Sequence, residues 1–165
     1  MTQPDTTQDV TILATQVLDM ARAKGVRIAT AESCTGGLII GALTEIAGSS
    51  DVVDRGFITY SNAAKIEMLG ITPATLDAHG AVSEQIASQM AHGALANSHA
   101  DLTVSVTGIA GPGGSEFKPE GRVCFGVAQT GQPIETTTIE FGPLGRSNVR
   151  HATVQMALVM LRDAL

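Results

Sequence analysis

The fold is decided by the segment Val26-Arg27-Ile28-Ala29-Thr30-Ala31-Glu32-Ser33-Cys34-Thr35-Gly36-Gly37, which runs into an apolar stretch over residues 38–47. Residues 26–30 have the pattern of a short buried strand, and residues 38–47 have the apolar spacing of a helix. The residues between them, 33–37, predict a turn. Ser33 is therefore expected between a strand and a helix.

The segments on both sides of this turn alternate between helical and extended patterns. Further helices are expected over residues 10–24, 63–69, 84–95 and 149–165, and further strands over residues 57–60 and 102–106. Residues 123–129 and 134–141 are expected to form a hairpin around the turn at residues 130–133. This order predicts an α/β fold, a three-layer α/β/α sandwich with a mixed sheet, as a single domain over residues 1–165.

The composition and net charge of the chain limit the classes of function that it can have. The chain has 165 residues, 44% of them apolar, and a formal net charge of −6 without a run of lysine or arginine. This acidic balance disfavours direct binding to nucleic acid or to an anionic membrane. Cys34 and Cys124 do not have metal-site spacing, and no segment resembles a signal peptide or a membrane span, so a cytoplasmic protein without a metal is expected. Residues 1–7 are polar and expected to be frayed.

Ser33 is the first candidate for chemistry. At a strand-to-helix turn its hydroxyl would be exposed, and the N–H groups that follow could stabilise an oxyanion. The alternative is a capping serine followed by glycines that merely permit the turn. Cys34 ranks below Ser33 because only the helix terminus would lower its pKa. Glu32 could orient a ribose hydroxyl, pair with Lys65 or lie exposed at the helix start.

A serine nucleophile requires a base, and Lys65 is the candidate. It follows Tyr60 by five positions, so a strand end and the first helical turn could bring both side chains to one edge of the sheet. A lysine base must be largely neutral near pH 7, which requires its pKa to fall by about three from the usual value, and partial burial could do this. The alternatives are that Lys65 is an exposed helix lysine and that Tyr60 is an aromatic anchor at a strand end. The histidines lie on or beside helical stretches and are not preferred as base or ligand: His79, His92, His99 and His151.

Residues 104–115 are an apolar strand that ends in four glycines within a short loop. Such a loop lets backbone N–H groups approach a phosphate or carboxamide closely, although a flexible connection explains it equally well. Its spacing is neither that of a Walker loop nor that of a dinucleotide fingerprint. Arg146, near the start of the last helix, could hold a phosphate with the helix N-terminus. Lys118 and Arg122 are expected to be solvated surface charges.

Three segments together resemble one family: TAESCTGG at 30–37, GFITYSNAAK at 56–65 and VSVTGIAGP at 104–112. With IAGSS at 46–50, HGAVSE at 79–84 and KPEG at 118–121, they are similar to the C-terminal domain of the competence/damage-inducible protein CinA. Any one motif is weak, whereas their order and spacing over nearly the whole chain are specific. The loop at 111–115 is one residue shorter than the common family form, and Cys124 stands where an aromatic residue is frequent.

The resemblance implies hydrolysis of nicotinamide mononucleotide, or a related nucleotide, to nicotinic acid mononucleotide and ammonia without a metal or cofactor. The family's catalytic residues fall on Ser33, Tyr60 and Lys65: Ser33 attacks the amide carbon, Lys65 with Tyr60 relays the proton to ammonia, and water hydrolyses the acyl-enzyme. The family's N-terminal domain, associated with nucleotide pyrophosphatase activity, is expected to be absent. Substrate contacts are expected from the turn, the glycine loop and the last helix: Glu32, Thr35, Gly36, Thr107, Gly108, Ile109, Ala110, Gly111 and Arg146.

Two other functions remain open. In a non-catalytic nucleotide-binding module, the glycine loop and Arg146 would hold a phosphate while Ser33 is only a cap, which predicts binding without turnover. An interaction protein acting in competence or DNA damage would require an exposed apolar patch. A homodimer is a prior that rests only on the frequency of such assemblies.

Overall fold

The computed structural model describes residues 8–115 and 117–165, so the expected fraying of residues 1–7 lies outside the described residues. A short 3-10 helix, Ser49–Asp51, precedes the second strand. In chain order the other elements are α1 (Val10–Lys24), β1 (Ile28–Glu32), α2 (Leu38–Thr44), β2 (Val53–Ile58), α3 (Asn62–Leu69), α4 (Pro73–His79), α5 (Glu84–Ala96), β3 (Leu102–Gly108), β4 (Arg122–Gln129), β5 (Glu135–Glu140) and α6 (Arg146–Ala164).

The strands form one five-stranded sheet in the order β2-β1-β3-β4-β5. Strand β1 pairs in parallel with β2 and β3, whereas β4 pairs antiparallel with β3 and β5. Helices α1, α2 and α6 cover one face of the sheet, and α3, α4 and α5 cover the other. The predicted sandwich with a mixed sheet is confirmed, including its hairpin of β4 and β5.

Several boundaries differ from the sequence prediction. Strand β1 lies two residues later than residues 26–30 because its ladder with β3 extends to the pair Glu32 and Val106. Helix α2 ends at Thr44 rather than at residue 47. Helix α4 was not predicted, although Thr72 accepts from the Thr75 amide as its N-cap and a proline stands in its first turn. These differences move Glu32 into the sheet and leave Ser33 as the first residue of the turn.

Strand β3 separates two kinds of side chain. Its alternate residues Leu102, Val104 and Val106 belong to the apolar core shared with α1 and α6. The residues between them carry hydroxyls that face α5 and donate to main-chain carbonyls at 2.6 to 2.8 Å: Thr103 to Ala91, Ser105 to Ala87, and Thr107 to Ala81. Buried hydroxyls require such partners, so these bonds fix α5 and the loop before it on the sheet.

Helix α5 also packs closely on α3. A Cβ atom added to Gly93 would lie 2.1 Å from the carbonyl oxygen of Leu69, whereas one added to Gly41 of α2 would meet nothing within 4 Å. Gly93→Ala is therefore expected to destabilise the protein by about 2–3 kcal/mol through overpacking. Gly41→Ala, the matched helical control, is expected to stabilise it by about 0.5–1 kcal/mol. Urea unfolding measures both, and equal effects of the two substitutions would contradict the close packing.

Glu32 at the end of β1 joins the strand to α2. Its side chain is fully buried. The carboxylate accepts hydrogen bonds from two hydroxyls and three amides at 2.6 to 3.2 Å, on Thr30, Thr35, Gly37, Ile39 and Ile40. The alternative of an exposed carboxylate is therefore wrong, because Glu32 binds the N-terminus of α2 from inside the protein.

Glu32→Gln is expected to lower the free energy of unfolding by about 2–3 kcal/mol, because an amide nitrogen would face donors that now bind a charged acceptor. Glu45→Gln is the matched control, since Glu45 is exposed at the other end of α2, and its effect is expected to stay within about 0.5 kcal/mol. Urea unfolding measures both variants. A destabilisation no larger than that of the control would show that the carboxylate does not hold the turn.

Candidate functional site

Ser33 is the first residue beyond the sheet. Its amide donates to the Val106 carbonyl of β3 at 3.1 Å, so the ladder between β1 and β3 fixes its backbone. The carbonyls of Cys34 and Thr35 accept from the Arg150 guanidinium at 3.0 and 3.2 Å, which ties the same turn to α6. The Ser33 side chain is therefore held on a rigid support, and the residue is 8% exposed.

Lys65 reaches Ser33 from the other side of the turn. It lies on α3, whose N-cap Ser61 accepts from the Ala64 amide. Its Nζ atom lies 2.9 Å from Ser33 Oγ, 2.9 Å from the Thr59 carbonyl oxygen and 3.3 Å from the Tyr60 carbonyl oxygen. The residue is 1% exposed, so the alternative of an exposed helix lysine is wrong.

Burial lowers the pKa of Lys65 below its usual value, because removal from water disfavours the charged amine. A neutral lysine amine has two N–H groups and one lone pair. Those groups match the surroundings of Nζ, where two carbonyl oxygens can accept and one serine hydroxyl can donate. The arrangement can therefore remove a proton from Ser33.

Cys34 is adjacent to Ser33 but has different surroundings. Burial raises the pKa of its thiol to about 11. At neutral pH the sulfur is therefore protonated, whereas the thiolate is the reactive form. This environment favours Ser33 over Cys34 as the nucleophile.

A cavity of about 310 Å³ opens in front of Ser33 and Lys65. This volume is at the lower end of small-molecule sites, which span about 300–1,000 Å³. A larger cavity of about 540 Å³ lies beside α2 and α6, and its lining contains neither Ser33 nor Lys65. The candidate residues brought together in the smaller cavity are Ser33, Tyr60, Lys65, Thr107, Gly108, Ala110 and Arg146.

Five other candidate residues lie outside this lining: Glu32, Thr35, Gly36, Ile109 and Gly111. Glu32 and Thr35 are fully buried and bonded to each other. Gly36 lies beside the Arg150 guanidinium, the Ile109 amide donates to the Arg122 carbonyl, and the Gly111 carbonyl accepts from Arg146. The contacts described for these residues are thus with neighbouring segments of the protein.

Tyr60 and Arg146 form one side of the cavity. The Tyr60 ring is exposed, and its hydroxyl accepts from Arg146 Nη2 at 3.1 Å. Arg146 Nη1 donates to the Gly111 carbonyl at 2.8 Å. Tyr60 thus contacts Lys65 through its backbone carbonyl, while its phenol orients the guanidinium.

Most of the N–H groups that were expected to stabilise an oxyanion already have acceptors within the protein. The amides of Gly37, Ile39 and Ile40 donate to Glu32, and those of Gly36 and Leu38 donate to carbonyls of the turn. The helix terminus is therefore occupied by the protein's own carboxylate. The amides of Cys34 and Thr35 are left as the candidate donors beside Ser33.

Three residues of the cavity lining were not predicted from the sequence. Asn62, Ala81 and Val82 line the cavity. Asn62 lies in the segment GFITYSNAAK, and Ala81 and Val82 lie in HGAVSE, so the place of both segments among the family motifs was a usable signal. Lys118 is not a solvated surface charge: it is half-buried and donates to the carbonyls of His79 and Val82.

The remaining features concern Arg122, the side chains that can bind a metal and the helices that could cross a membrane. Arg122 pairs with Glu140 at 2.6 Å near the surface. Within residues 8–115 and 117–165, no three His, Cys, Asp or Glu side chains are grouped to hold a metal ion. In the same part of the chain, no helix combines the length and apolar character needed to cross a membrane.

Comparison with known proteins places this geometry in a family. Residues 10–165 match the model of the CinA C-terminal domain. The chain is 49% identical over 154 residues to nicotinamide-nucleotide amidohydrolase PncC of Enterobacter agglomerans, covering 93% of this chain and 92% of that protein. It is 47% identical over 150 residues to a putative competence-damage inducible protein of Caldicellulosiruptor saccharolyticus, covering 90% of this chain but only 36% of that longer protein.

The solved structures agree with the sequence comparison. The crystal structure of the competence/damage inducible protein CihA from Agrobacterium tumefaciens matches with a TM-score of 0.90 and 52% identity, covering 93% of this chain and 94% of that one. A CinA superfamily protein from Escherichia coli matches with a TM-score of 0.92 and 32% identity, covering 100% and 95% of the two chains. Sequence, fold and site together show that the chain belongs to the CinA C-terminal domain family.

Proposed function

We propose that this chain is a nicotinamide-nucleotide amidohydrolase that converts nicotinamide mononucleotide to nicotinic acid mononucleotide and ammonia. The observation that carries the proposal is the 2.9 Å contact between the buried Lys65 amine and the Ser33 hydroxyl. An amide is hydrolysed by a serine only when a base activates it, and the pair supplies both groups. The similarity to the Enterobacter agglomerans amidohydrolase across 93% of the chain supports the substrate class.

In the proposed reaction, neutral Lys65 accepts the Ser33 proton as Oγ bonds to the carboxamide carbon. The resulting Lys65 ammonium then gives that proton to the departing nitrogen as the carbon–nitrogen bond breaks, which releases ammonia and leaves an acyl-enzyme. A water molecule attacks the ester, its proton passes to Lys65 and then to Ser33, and the carboxylic acid leaves. No metal or cofactor takes part in these steps.

Arg146 suits the phosphate of such a nucleotide. Within residues 8–115 and 117–165, its two hydrogen bonds use two of the five guanidinium N–H groups, which leaves three for phosphate oxygens. It is also the first residue of the 19-residue helix α6. The N-cap of this helix is Gly145, which has no side chain to bind the helix amides, and such a helix end favours an anion. The proton-relay role of Tyr60, the cytoplasmic setting and the homodimer stay predictions.

Ammonia release from nicotinamide mononucleotide tests the assignment. Ser33→Ala and Lys65→Met are each expected to lower kcat by about 10²–10⁴-fold, because one removes the nucleophile and the other the base. Ser50→Ala and Lys24→Met are matched controls, since both residues are exposed and lie outside the cavity lining, and they are expected to keep full activity. Calorimetric binding of the nucleotide to each folded variant separates loss of chemistry from loss of affinity.

Two outcomes would contradict the proposal. Binding of the nucleotide by the wild-type protein without ammonia release would favour the non-catalytic binding module. Full turnover by Ser33→Ala would remove Ser33 from the reaction and would require another nucleophile.

The pH dependence tests the state of Lys65. Protonated Lys65 cannot accept a proton, so log(kcat/KM) is expected to rise with pH at a slope of about one and level off above the pKa of this group. Because burial lowers that pKa, the break is expected below the usual lysine value of about 10.4. Lys65→Arg keeps the charge but cannot lose its proton and is expected to be inactive at every pH. A wild-type profile that falls as the pH rises, or that breaks at or above the usual lysine value, would contradict this role of Lys65.

A further inference from the structure

The segment His79-Gly80-Ala81-Val82 has an unusual set of hydrogen bonds. It connects α4 to α5, and each of its four successive carbonyl oxygens accepts from a side chain instead of a backbone ladder. Lys118 Nζ donates to the carbonyls of His79 and Val82. Ser83 donates to the Gly80 carbonyl at 2.9 Å, and Thr107 donates to the Ala81 carbonyl at 2.8 Å.

Ala81 and Val82 also belong to the lining of the cavity in front of Ser33. Because peptide groups are planar, fixing each carbonyl fixes the orientation of the amide that follows it. Four consecutive fixed carbonyls therefore determine the shape of this part of the wall, which we call the 79–82 wall. Lys118 supplies two of the four bonds and is the donor most distant in sequence from the wall.

We propose that Lys118 is a positioning residue that fixes the 79–82 wall and thereby sets the affinity of the site for its nucleotide. This inference rests on the function proposed above. Lys118 is not among the residues that line the cavity in front of Ser33. It lines a different cavity of about 430 Å³, to which Val82 also contributes. Lys118 therefore acts through the wall and not by contact with substrate.

The surroundings of Lys118 anchor it on the glycine loop. The Ser115 amide donates to the Lys118 carbonyl at 2.9 Å, and the Glu120 carboxylate accepts from the Gly113 amide at 3.2 Å. A Cβ atom added to Gly111 would lie 2.2 Å from Glu120 Oε1, so loop and carboxylate approach closely. Residues 118–120 thus connect the glycine loop, which lines one side of the cavity, to the 79–82 wall on another.

An ammonium suits this position for a physical reason. Hydrogen bonds from a charged donor are roughly twice as strong as those between neutral groups, and one Nζ atom can bind two carbonyls at once. Without it, the His79 and Val82 carbonyls would have to find water, and their peptide groups could rotate. The wall would then sample several shapes, of which only some fit the ligand.

The test compares Lys118→Met with the wild-type protein and with Lys24→Met, which removes the same charge from an exposed position on α1. Backbone NMR order parameters of the Ala81 and Val82 amides are expected to fall from about 0.85 to below about 0.6 in Lys118→Met, while those in α1 stay unchanged. For nicotinamide mononucleotide, KM is expected to rise about tenfold with kcat changed less than about threefold. Lys118→Arg, which keeps a cationic donor, is expected to restore most of both properties.

Unchanged order parameters at Ala81 and Val82 in Lys118→Met would overturn the proposal, as would a mobile wall with an unaltered KM. If Lys118→Met does not fold, Lys118→Gln replaces it: its neutral amide keeps two weaker N–H donors on a shorter side chain, so smaller changes in the same direction are expected. The order parameters require no substrate. An absence of turnover in the wild-type protein would therefore count against the proposed amidase function, while the NMR result would still decide whether Lys118 fixes the wall.

Discussion

The parallel pairing of β1 with β2 and β3 is the constraint on which the site depends. Glu32 pairs with Ile58 on one side and with Val106 on the other, so the three strands end at the same edge of the sheet. Ser33 leaves that edge from β1, Thr59 and Tyr60 leave it from β2, and Thr107 and Gly108 end β3. Ligand sites in open α/β sheets form at such an edge because the strand ends converge there while their connections diverge.

Glu32 and Lys65 are both buried at this edge, but their side chains have different hydrogen-bond partners. The Glu32 carboxylate accepts five hydrogen bonds, which compensate for the removal of its charge from water. Lys65 instead has two carbonyls and a hydroxyl around its amine, and burial lowers its pKa. Glu32 therefore holds the turn that presents Ser33, whereas Lys65 has the contact with Ser33 on which the proposed function rests.

Cations around the cavity bind the backbone although the chain as a whole carries a net charge of −6. Arg150 binds carbonyls of the Ser33 turn, Lys118 binds carbonyls of the 79–82 wall, and Arg146 binds the Gly111 carbonyl. The carbonyls of these turns and loops lie outside helices and strands. Side-chain donors supply the hydrogen bonds that main-chain amides supply in regular secondary structure. This explains how a site made largely of loops can still have a defined shape.

Local sequence patterns were sufficient for the α/β class, the hairpin and most helices, because apolar periodicity and helix caps act within a few residues. Ser61 and Ser83, for example, cap α3 and α5 by accepting from amides three residues later. Position along the chain made Ser33, Tyr60 and Lys65 candidates beside structural alternatives, and the resemblance to family motifs then favoured catalytic roles for them. The contact between Lys65 and Ser33, the burial of Glu32 and the use of Lys118 depended on the tertiary structure. Lys65 and Ser33 are 32 positions apart, and the partners of Lys118 are 39 and 36 positions away. Periodicity reports which side of an element is buried, whereas hydrogen-bond partners at such separations are set by strand order and loop path, which local pattern does not encode.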